Sequence, residues 1–338
     1  MDVGIIGAGN ISDTHARAAA AIPGTHVVAV FGANRERVTR LAREHGAQAY
    51  HSLDAFLAHA PMDVVAIGSP SGLHAEQGIA AARQGLHVLV EKPLDVTLER
   101  ADALIDAADA AGVRLGVFFQ DRVQPDIVRM RDAIASGRLG RALLASARVK
   151  WYRPPEYYSQ SRWRGTRALD GGGALMNQGI HTVDLLLWLL GPVRRVAAAT
   201  ATGAHAIEVE DIATALLEFD SGAMGTLEAT TAAYPGYQRR LELSGTNGTL
   251  ILEHDRLVAA DLREPSGDVL VAAGMDQNAS ASSPIVSDAS GHQRLFEDFF
   301  EAVAKGREPR CSGRAARDSV ALVLAIYEAA RTGTWVSL

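Results

Sequence analysis

Two spacings of apolar residues alternate through the first third of the chain. Short β-branched or aliphatic runs occupy 3–6, 27–31, 64–67, 87–90 and 115–119. Alanine-rich stretches with helical spacing lie between them, over 14–21, 36–45, 74–84 and 98–111. Parallel strands need a crossover, and a helix supplies it, so this alternation predicts an α/β unit with a doubly wound parallel sheet. Gly24, Gly46, Gly85 and Gly112 punctuate the helical stretches. The predicted unit fills residues 1–120.

From residue 121 the texture changes. Pro125 opens a helix predicted to end near Gly137. Half-buried strands are predicted over 143–152, 212–219, 223–231, 239–244 and 249–252. Asp220-Ser221-Gly222, Pro235-Gly236 and Thr246-Asn247-Gly248 separate them. Turns this short join antiparallel neighbours. Residues 121–338 therefore read as a second, α+β domain with a large open, mainly antiparallel sheet. Two final helices, over 292–305 and 315–331, are candidates to pack back on the first domain. The Ser-, Ala- and Asp-rich stretch 272–291 reads as a loop.

Composition narrows the field. A length of 338 residues suits two domains. The charge count, 33 basic against 39 acidic, leaves −6 and argues against a nucleic-acid partner held by a basic face. The single cysteine, Cys311, cannot form an intramolecular disulfide or a multi-thiolate zinc site. The aliphatic run 185–190 is too short to span a bilayer, so no membrane partner is expected. The chain enters an apolar strand at Val3 without a basic segment before a long apolar one, and a cytoplasmic location is expected. The acids of Glu208-Val209-Glu210-Asp211 precede a strand and read as a solvated turn, and no metal is assigned.

Candidate chemistry begins at Gly7-Ala8-Gly9-Asn10-Ile11-Ser12, between the first strand and the first helix. Glycines let such a turn approach a pyrophosphate, whose charge then meets the helix N-terminus. Gly7, Gly9, Asn10 and Ile11 are the cofactor contacts expected from it. The third fingerprint position is Ser12, still a small residue. An acid at the end of the second strand would hold the ribose 2′-hydroxyl of NAD. Here Gly32 stands at that point, followed by Asn34 and Arg35. A missing carboxylate, an amide donor and a guanidinium together favour the 2′-phosphate of NADP over NAD.

Further motifs carry a resemblance. Ser69-Pro70-Ser71-Gly72-Leu73-His74, Glu91-Lys92-Pro93, Arg122-Val123-Gln124-Pro125 and the run from Gly171 to Asp184 follow the glycine turn in order. With them the chain resembles the Gfo/Idh/MocA oxidoreductases over nearly its whole length. The resemblance implies a Rossmann domain, then an α/β domain whose open sheet builds oligomer contacts, in a homodimer or homotetramer. It implies oxidation of a secondary alcohol, or the reverse, on a sugar, cyclitol or sugar derivative. It places the family's lysine at Lys92 and its histidine at His181, and implies a cis Lys92–Pro93 peptide. Trp163-Arg164-Gly165-Thr166 and Asp170 to Gly173 suggest sugar or nucleotide-sugar dehydrogenases as the nearest members.

Hydride transfer from an alcohol needs a base for the hydroxyl proton, and the reverse reaction an acid. Lys92, following a strand end, is the main candidate, with Glu91 beside it. Asn177, His181 and Asp184 stand at i, i+4 and i+7, and so share one predicted helix face. Many family members carry Asp where this chain has Asn177, and an amide cannot act as a base. Asp184 is then the expected orienter of the imidazole, and Asn177 a substrate ligand. Ser69, His74, Trp163 and Arg164 are expected near the cofactor, and Arg122 and Tyr152, together with Asp184, near the substrate. A non-catalytic dinucleotide sensor of the same fold, and a dehydrogenase of a non-sugar diol, are the alternatives.

Overall fold

The computed structural model describes residues 1–263 and 289–338. Of the loop expected over 272–291, residues 272–288 lie outside the described residues, and Ser290 and Gly291 are helical instead. In chain order the first elements are β1 (Asp2–Ile6), α1 (Asn10–Ala20), β2 (His26–Phe31), α2 (Arg35–His45), β3 (Gln48–Tyr50), α3 (Leu53–Leu57) and β4 (Val64–Ile67). They continue with α4 (His74–Arg83), β5 (His87–Val90), α5 (Leu98–Ala111) and β6 (Leu115–Val117). Then follow α6 (Pro125–Ala135), β7 (Ala142–Lys150), α7 (Pro155–Ser159), a π-helical turn (Ala174–Gly179), α8 (Ile180–Leu190), β8 (Val193–Ala201) and β9 (Ile212–Phe219). The rest are β10 (Met224–Thr230), β11 (Arg240–Gly245), β12 (Gly248–Glu253), β13 (Arg256–Leu262), α9 (Ser290–Lys305), α10 (Gly313–Thr332) and β14 (Val336–Ser337). No helix among the described residues is long and apolar enough to cross a membrane.

Two compact units emerge. The first comprises 1–120 and, among the described residues, 289–317. Its sheet has the order β3-β2-β1-β4-β5-β6, all parallel, the doubly wound order whose direction reverses beside β1. Val3, Ile5, Val30, Ile67, Leu89 and Val90 are almost fully buried, as a sheet covered on both faces requires. α9 belongs to this unit and packs on α1. It inserts Phe296 edge-on to Phe118, with ring centroids 5.3 Å apart. Phe299 fills the space beside Gly116, where a Cβ would come within 2.8 Å of its ring.

The second unit comprises 121–263 and 318–338. Its eight-stranded sheet runs β13-β12-β11-β7-β10-β9-β8-β14. Only β7 and β10 pair in parallel; every other pairing is antiparallel. One face packs Ala145, Ala147, Val149, Leu217, Leu227 and Leu243 inward. The opposite face leaves Leu144, Leu216 and Met224 more than half exposed. The registers put Met224 beside Leu144 and Thr226 beside Leu216, so these side chains share one surface.

Phe296 fills a site that would not collapse around alanine. Phe296→Ala should cost about 3–5 kcal/mol of unfolding free energy in urea titration. An unchanged midpoint would show that α9 is not part of the first unit's core.

Candidate active site

The glycine turn is built by two opposite demands. Gly7 has φ +112°, and a Cβ there would stand 2.5 Å from Ser12 Oγ and 2.7 Å from Gly68 O. Only glycine fits that turn. Gly9 caps α1 without a side-chain hydrogen bond, and a Cβ there would meet nothing within 4 Å. The N-terminal end of α1, with exposed Asn10 and half-buried Ile11, is therefore open and carries the positive end of the helix dipole. Ser12 is fully buried beneath the turn. This cradle fits the pyrophosphate of a dinucleotide.

Beyond β2 the chain passes Gly32, where a Cβ would lie 3.2 Å from Val38 Cγ2 and 3.5 Å from Ala8 N. Asn34 caps α2, its Oδ1 accepting the Arg37 N–H at 3.0 Å. Arg35 and Arg37 are exposed and hold no ion pair among the described residues. Arg40, by contrast, is committed to Asp13 and Glu44 at 3.1 Å each. An open groove runs over Asn34, Arg35, Arg37, Arg40, Arg43 and His51, with one acid, Glu36, and Thr39 among them. Its chemistry suits a phosphate.

The ends of β4 and β5 are tied together by His74. Its Nδ1 lies 2.8 Å from Pro93 O and its Nε2 3.0 Å from Ser69 O. Burial pushes its pKa down against the pull of these carbonyls. The Ser69 hydroxyl donates to Gln77 Oε1 at 2.6 Å. Lys92 is half-buried directly after β5, and its peptide to Pro93 is cis. Glu91 is buried, with Oε1 2.9 Å from His15 Nε2 and 3.8 Å from His292 Nε2. Ser69, Glu91 and Lys92 thus sit at the C-terminal edge of the parallel sheet, the edge where open α/β sheets hold ligands.

The second unit corrects the predicted helix face. The π-helical turn Ala174–Gly179 precedes α8 and changes the angular phase between Asn177 and His181. Asn177 donates through Nδ2 to Asp170 and accepts through Oδ1 from Gln178 at 2.9 Å. Asp184 is not the orienter of His181. Its carboxylate, fully buried, takes the Arg122 guanidinium in two bonds of 2.7 and 2.6 Å and the Ser319 hydroxyl at 3.1 Å. Arg122, likewise buried, stacks over Trp188 at 5.7 Å. This pair, expected to bind substrate, locks the turn before α6 to α8 instead.

Asp121 is the carboxylate facing the imidazole, with Oδ2 3.6 Å from His181 Nδ1. It also accepts from Arg239, which in turn donates to Asp255. Burial pushes the Asp121 carboxyl up, but the Arg239 and His181 charges pull it down to about 2. Sequence reasoning missed Asp121 although it adjoins the Arg122 motif.

Of the acids expected in a solvated turn, Glu208 is exposed, but Glu210 and Asp211 are buried. Glu210 is 8% exposed and accepts the N–H groups of Gly173 and Leu175 at 2.9 and 2.8 Å, and the Tyr327 hydroxyl at 2.9 Å. Asp211 is fully buried and accepts from the main chain of Gly203, Ala204 and His205. Gly173 approaches so closely that a Cβ would lie 1.8 Å from Glu210 O. Nearby, Arg164 lies over the Tyr157 ring at 4.2 Å and the Trp163 ring at 5.5 Å. Tyr152 meets Tyr234 edge-on at 5.2 Å and bridges to Ala232.

Known proteins share this architecture. Residues 1–119 match the family described as an oxidoreductase family with an NAD-binding Rossmann fold, and residues 127–251 match the GFO/IDH/MocA C-terminal domain. A 1,5-anhydro-D-fructose reductase from Ensifer adhaerens is 32% identical, over 98% of this chain and 96% of its own. A D-xylose 1-dehydrogenase (NADP(+)) from Haloferax volcanii is 30% identical over the whole of both chains. The crystal structure of the WlbA dehydrogenase from Bordetella pertussis, in complex with NADH and UDP-GlcNAcA, superposes with a TM-score of 0.91. It is 35% identical and covers 100% of this chain and 97% of its own.

Two outcomes follow from the buried anions. A Gly173→Ala substitution should lower stability by about 3 kcal/mol in thermal unfolding, because the Glu210 carbonyl cannot yield. An unaltered Tm would contradict that. The Asp121 carboxyl is depressed, so its contribution to stability is full above pH 3.8 and is lost as pH falls toward about 2. Asp121→Asn, which leaves buried Arg239 with Asp255 as its remaining carboxylate, should be about 1–3 kcal/mol less stable at neutral pH, with a shallower acid limb across that window. Equal acid limbs in urea titrations would refute the assignment.

Proposed function

Because this chain belongs to the Gfo/Idh/MocA oxidoreductase family, we propose that it interconverts a secondary alcohol and a ketone on a sugar, cyclitol or sugar derivative. The observation that carries this reading is Lys92 at the end of β5, on the ligand-binding edge of a sheet that also bears an open, glycine-capped helix end. When bound, the nicotinamide supplies the hydride acceptor or donor. Lys92 acts as the main acid–base group: as a neutral amine it takes the hydroxyl proton, and as an ammonium it returns it. Glu91 anchors Lys92, while Ser69 and His74 shape the adjoining strand ends. His181, with Asp121 stabilising positive charge on its ring, holds a substrate hydroxyl or passes on its proton. Asn177, Tyr152, Trp163 and Arg164 offer the amide, flat faces and donors that suit a sugar ring. The reductase and the dehydrogenases described above support this substrate class.

NADP is proposed over NAD. Support comes from the absence of an acid at the end of β2, from exposed Arg35 and from the basic groove beside Asn34. The NADP(+) in the Haloferax enzyme's name agrees, whereas the Bordetella structure holds NADH. A second copy of this chain is proposed as the partner for the apolar face around Leu144, Leu216 and Met224. The one cysteine, Cys311, is free and buried, which agrees with the proposed cytoplasmic location.

The test is a panel of 1,5-anhydro-D-fructose, D-xylose, UDP-GlcNAcA and myo-inositol with both cofactors, followed by nicotinamide absorbance. Turnover of at least one sugar or cyclitol is expected, with higher kcat/KM for NADP(H). Arg35→Ala should cut that preference about tenfold, roughly 1.4 kcal/mol. Tight cofactor binding without turnover would favour the sensor reading, and a clear NAD preference would overturn the assignment of Arg35.

A further inference from the structure

The group around Glu91 brings two helices to one carboxylate at the end of β5. His15 comes from the second turn of α1 and His292 from the first turn of α9. The side chains of His15, Glu91 and His292 are 0%, 9% and 3% exposed. His15 stacks on Phe118 with centroids 4.1 Å apart and planes 10° from parallel, so its ring plane is fixed. The two Glu91 oxygens divide their work. Oε1 faces both imidazoles, and Oε2 accepts the main-chain N–H of Lys92 at 3.2 Å.

The proton on His15 can be placed. Its Nδ1 is buried without a hydrogen-bond partner. A doubly protonated ring would bury an unsatisfied N–H there, whereas a neutral ring with its proton on Nε2 leaves only a lone pair. His15 is then a neutral donor to an anionic Glu91. Burial holds its pKa down, and the imidazole contacts hold Glu91, against burial, well below the usual carboxylate range. A metal among these three residues would need the Nε2 lone pair that this hydrogen bond consumes, and its histidine ligand would be expected to anchor the other ring nitrogen.

We propose that His15 and His292 are positioning residues, holding Glu91 ionised at the end of β5, where it fixes the Lys92 main chain and favours the charged form of the Lys92 amine. The proposal rests on the reading of Lys92 as the acid–base group. It couples the helix that opens the dinucleotide cradle to the proton-transfer residue through a single carboxylate. Two other groups lie in the same field. His74, on α4, joins Ser69 O to Pro93 O. Asp95, fully buried, accepts the Ala75 N–H at 2.9 Å and pairs with Arg100 at 2.9 Å. Neither makes a hydrogen bond to Glu91, but the Glu91 charge raises the His74 pKa, so the His74 imidazole is followed in the same titration.

The chain has three lysines, Lys92, Lys150 and Lys305. Lysine labelled at the ε-carbon therefore gives three NMR titrations in the full-length protein. Lys150 and Lys305, paired at 2.6 Å to Glu228 and Glu301, serve as internal controls. Removing an opposite charge disfavours the ammonium. In Glu91→Gln, nearly isosteric, the pH at which Lys92 loses its proton should fall by about one unit, a tenfold change in its ionisation constant. The controls should stay in place. His292→Gln should move Lys92 in the same direction by less, and it gives the same test should Glu91→Gln not fold. Nitrogen spectra of the wild type should show His15 neutral and protonated on Nε2. An unmoved or raised Lys92 midpoint, a doubly protonated His15, or His15 bound to a metal would each overturn the proposal. The lysine reading fails separately: Lys92→Met retaining full turnover on the panel sugars would overturn it even with the titration shift present.

Discussion

A carboxylate shut away from water stays ionised only if the fold supplies donors to replace its hydration. This constraint organises both units. Glu91 is met by two imidazoles and a main-chain N–H, Asp184 by a guanidinium and a hydroxyl, and Glu210 by two main-chain N–H groups and a phenol. Each anion draws together elements that are distant in sequence. Glu91 joins α1, β5 and α9, Asp184 joins the segment before α6 to α8 and residue 319, and Glu210 pins the glycine triplet before α8 to residue 327. Losing one partner strands a charge, which costs more than the bond itself contributes.

The same constraint prepares the chemistry. A lysine that exchanges a proton needs a defined position and a defined electrostatic surrounding. At the end of β5 both come from Glu91, whose oxygens serve the helix side and the lysine main chain at once. Sheet geometry does the rest. Parallel strands bring the glycine turn, Ser69 and Lys92 to one edge, because each follows a strand that points the same way. In the second unit His181 faces a different buried acid, Asp121, whose own charge is held by Arg239.

Much of this was legible in the sequence, and for identifiable reasons. Strand and helix alternated cleanly over 1–120, and a parallel, doubly wound sheet follows from that alternation, though its strand order does not. The glycine turn and Glu91-Lys92-Pro93 are local motifs, each placed directly after its strand. β3, only three residues long, has no periodicity to read. β8 and β13 were also missed: β8 is alanine-rich and half-exposed, and β13 lacks the alternation of polar and apolar residues that marks a half-buried strand. Glu210 and Asp211 were misread because acids are usually solvated, a tendency that donors from other segments overrode here. Asp184 shares α8 with His181, but its carboxylate is taken by Arg122 and Ser319, partners distant in sequence that helical spacing cannot reveal; the π-helical turn breaks the phase of Asn177 alone. His292 gave one signal that could have been used, a polar residue among the apolar buried positions of α9; His15 gave none, because Ser12 and Thr14 are buried on α1 beside it.

The account's central claim is that the Lys92 amine handles the proton of the reacting alcohol. A structure of the protein with NADP+ and the sugar that it turns over best tests this directly. Lys92 Nζ should stand within about 2.6–3.2 Å of the oxygen on the carbon that loses hydride. A lysine directed away from that oxygen, with another acid or base in its place, would contradict the account.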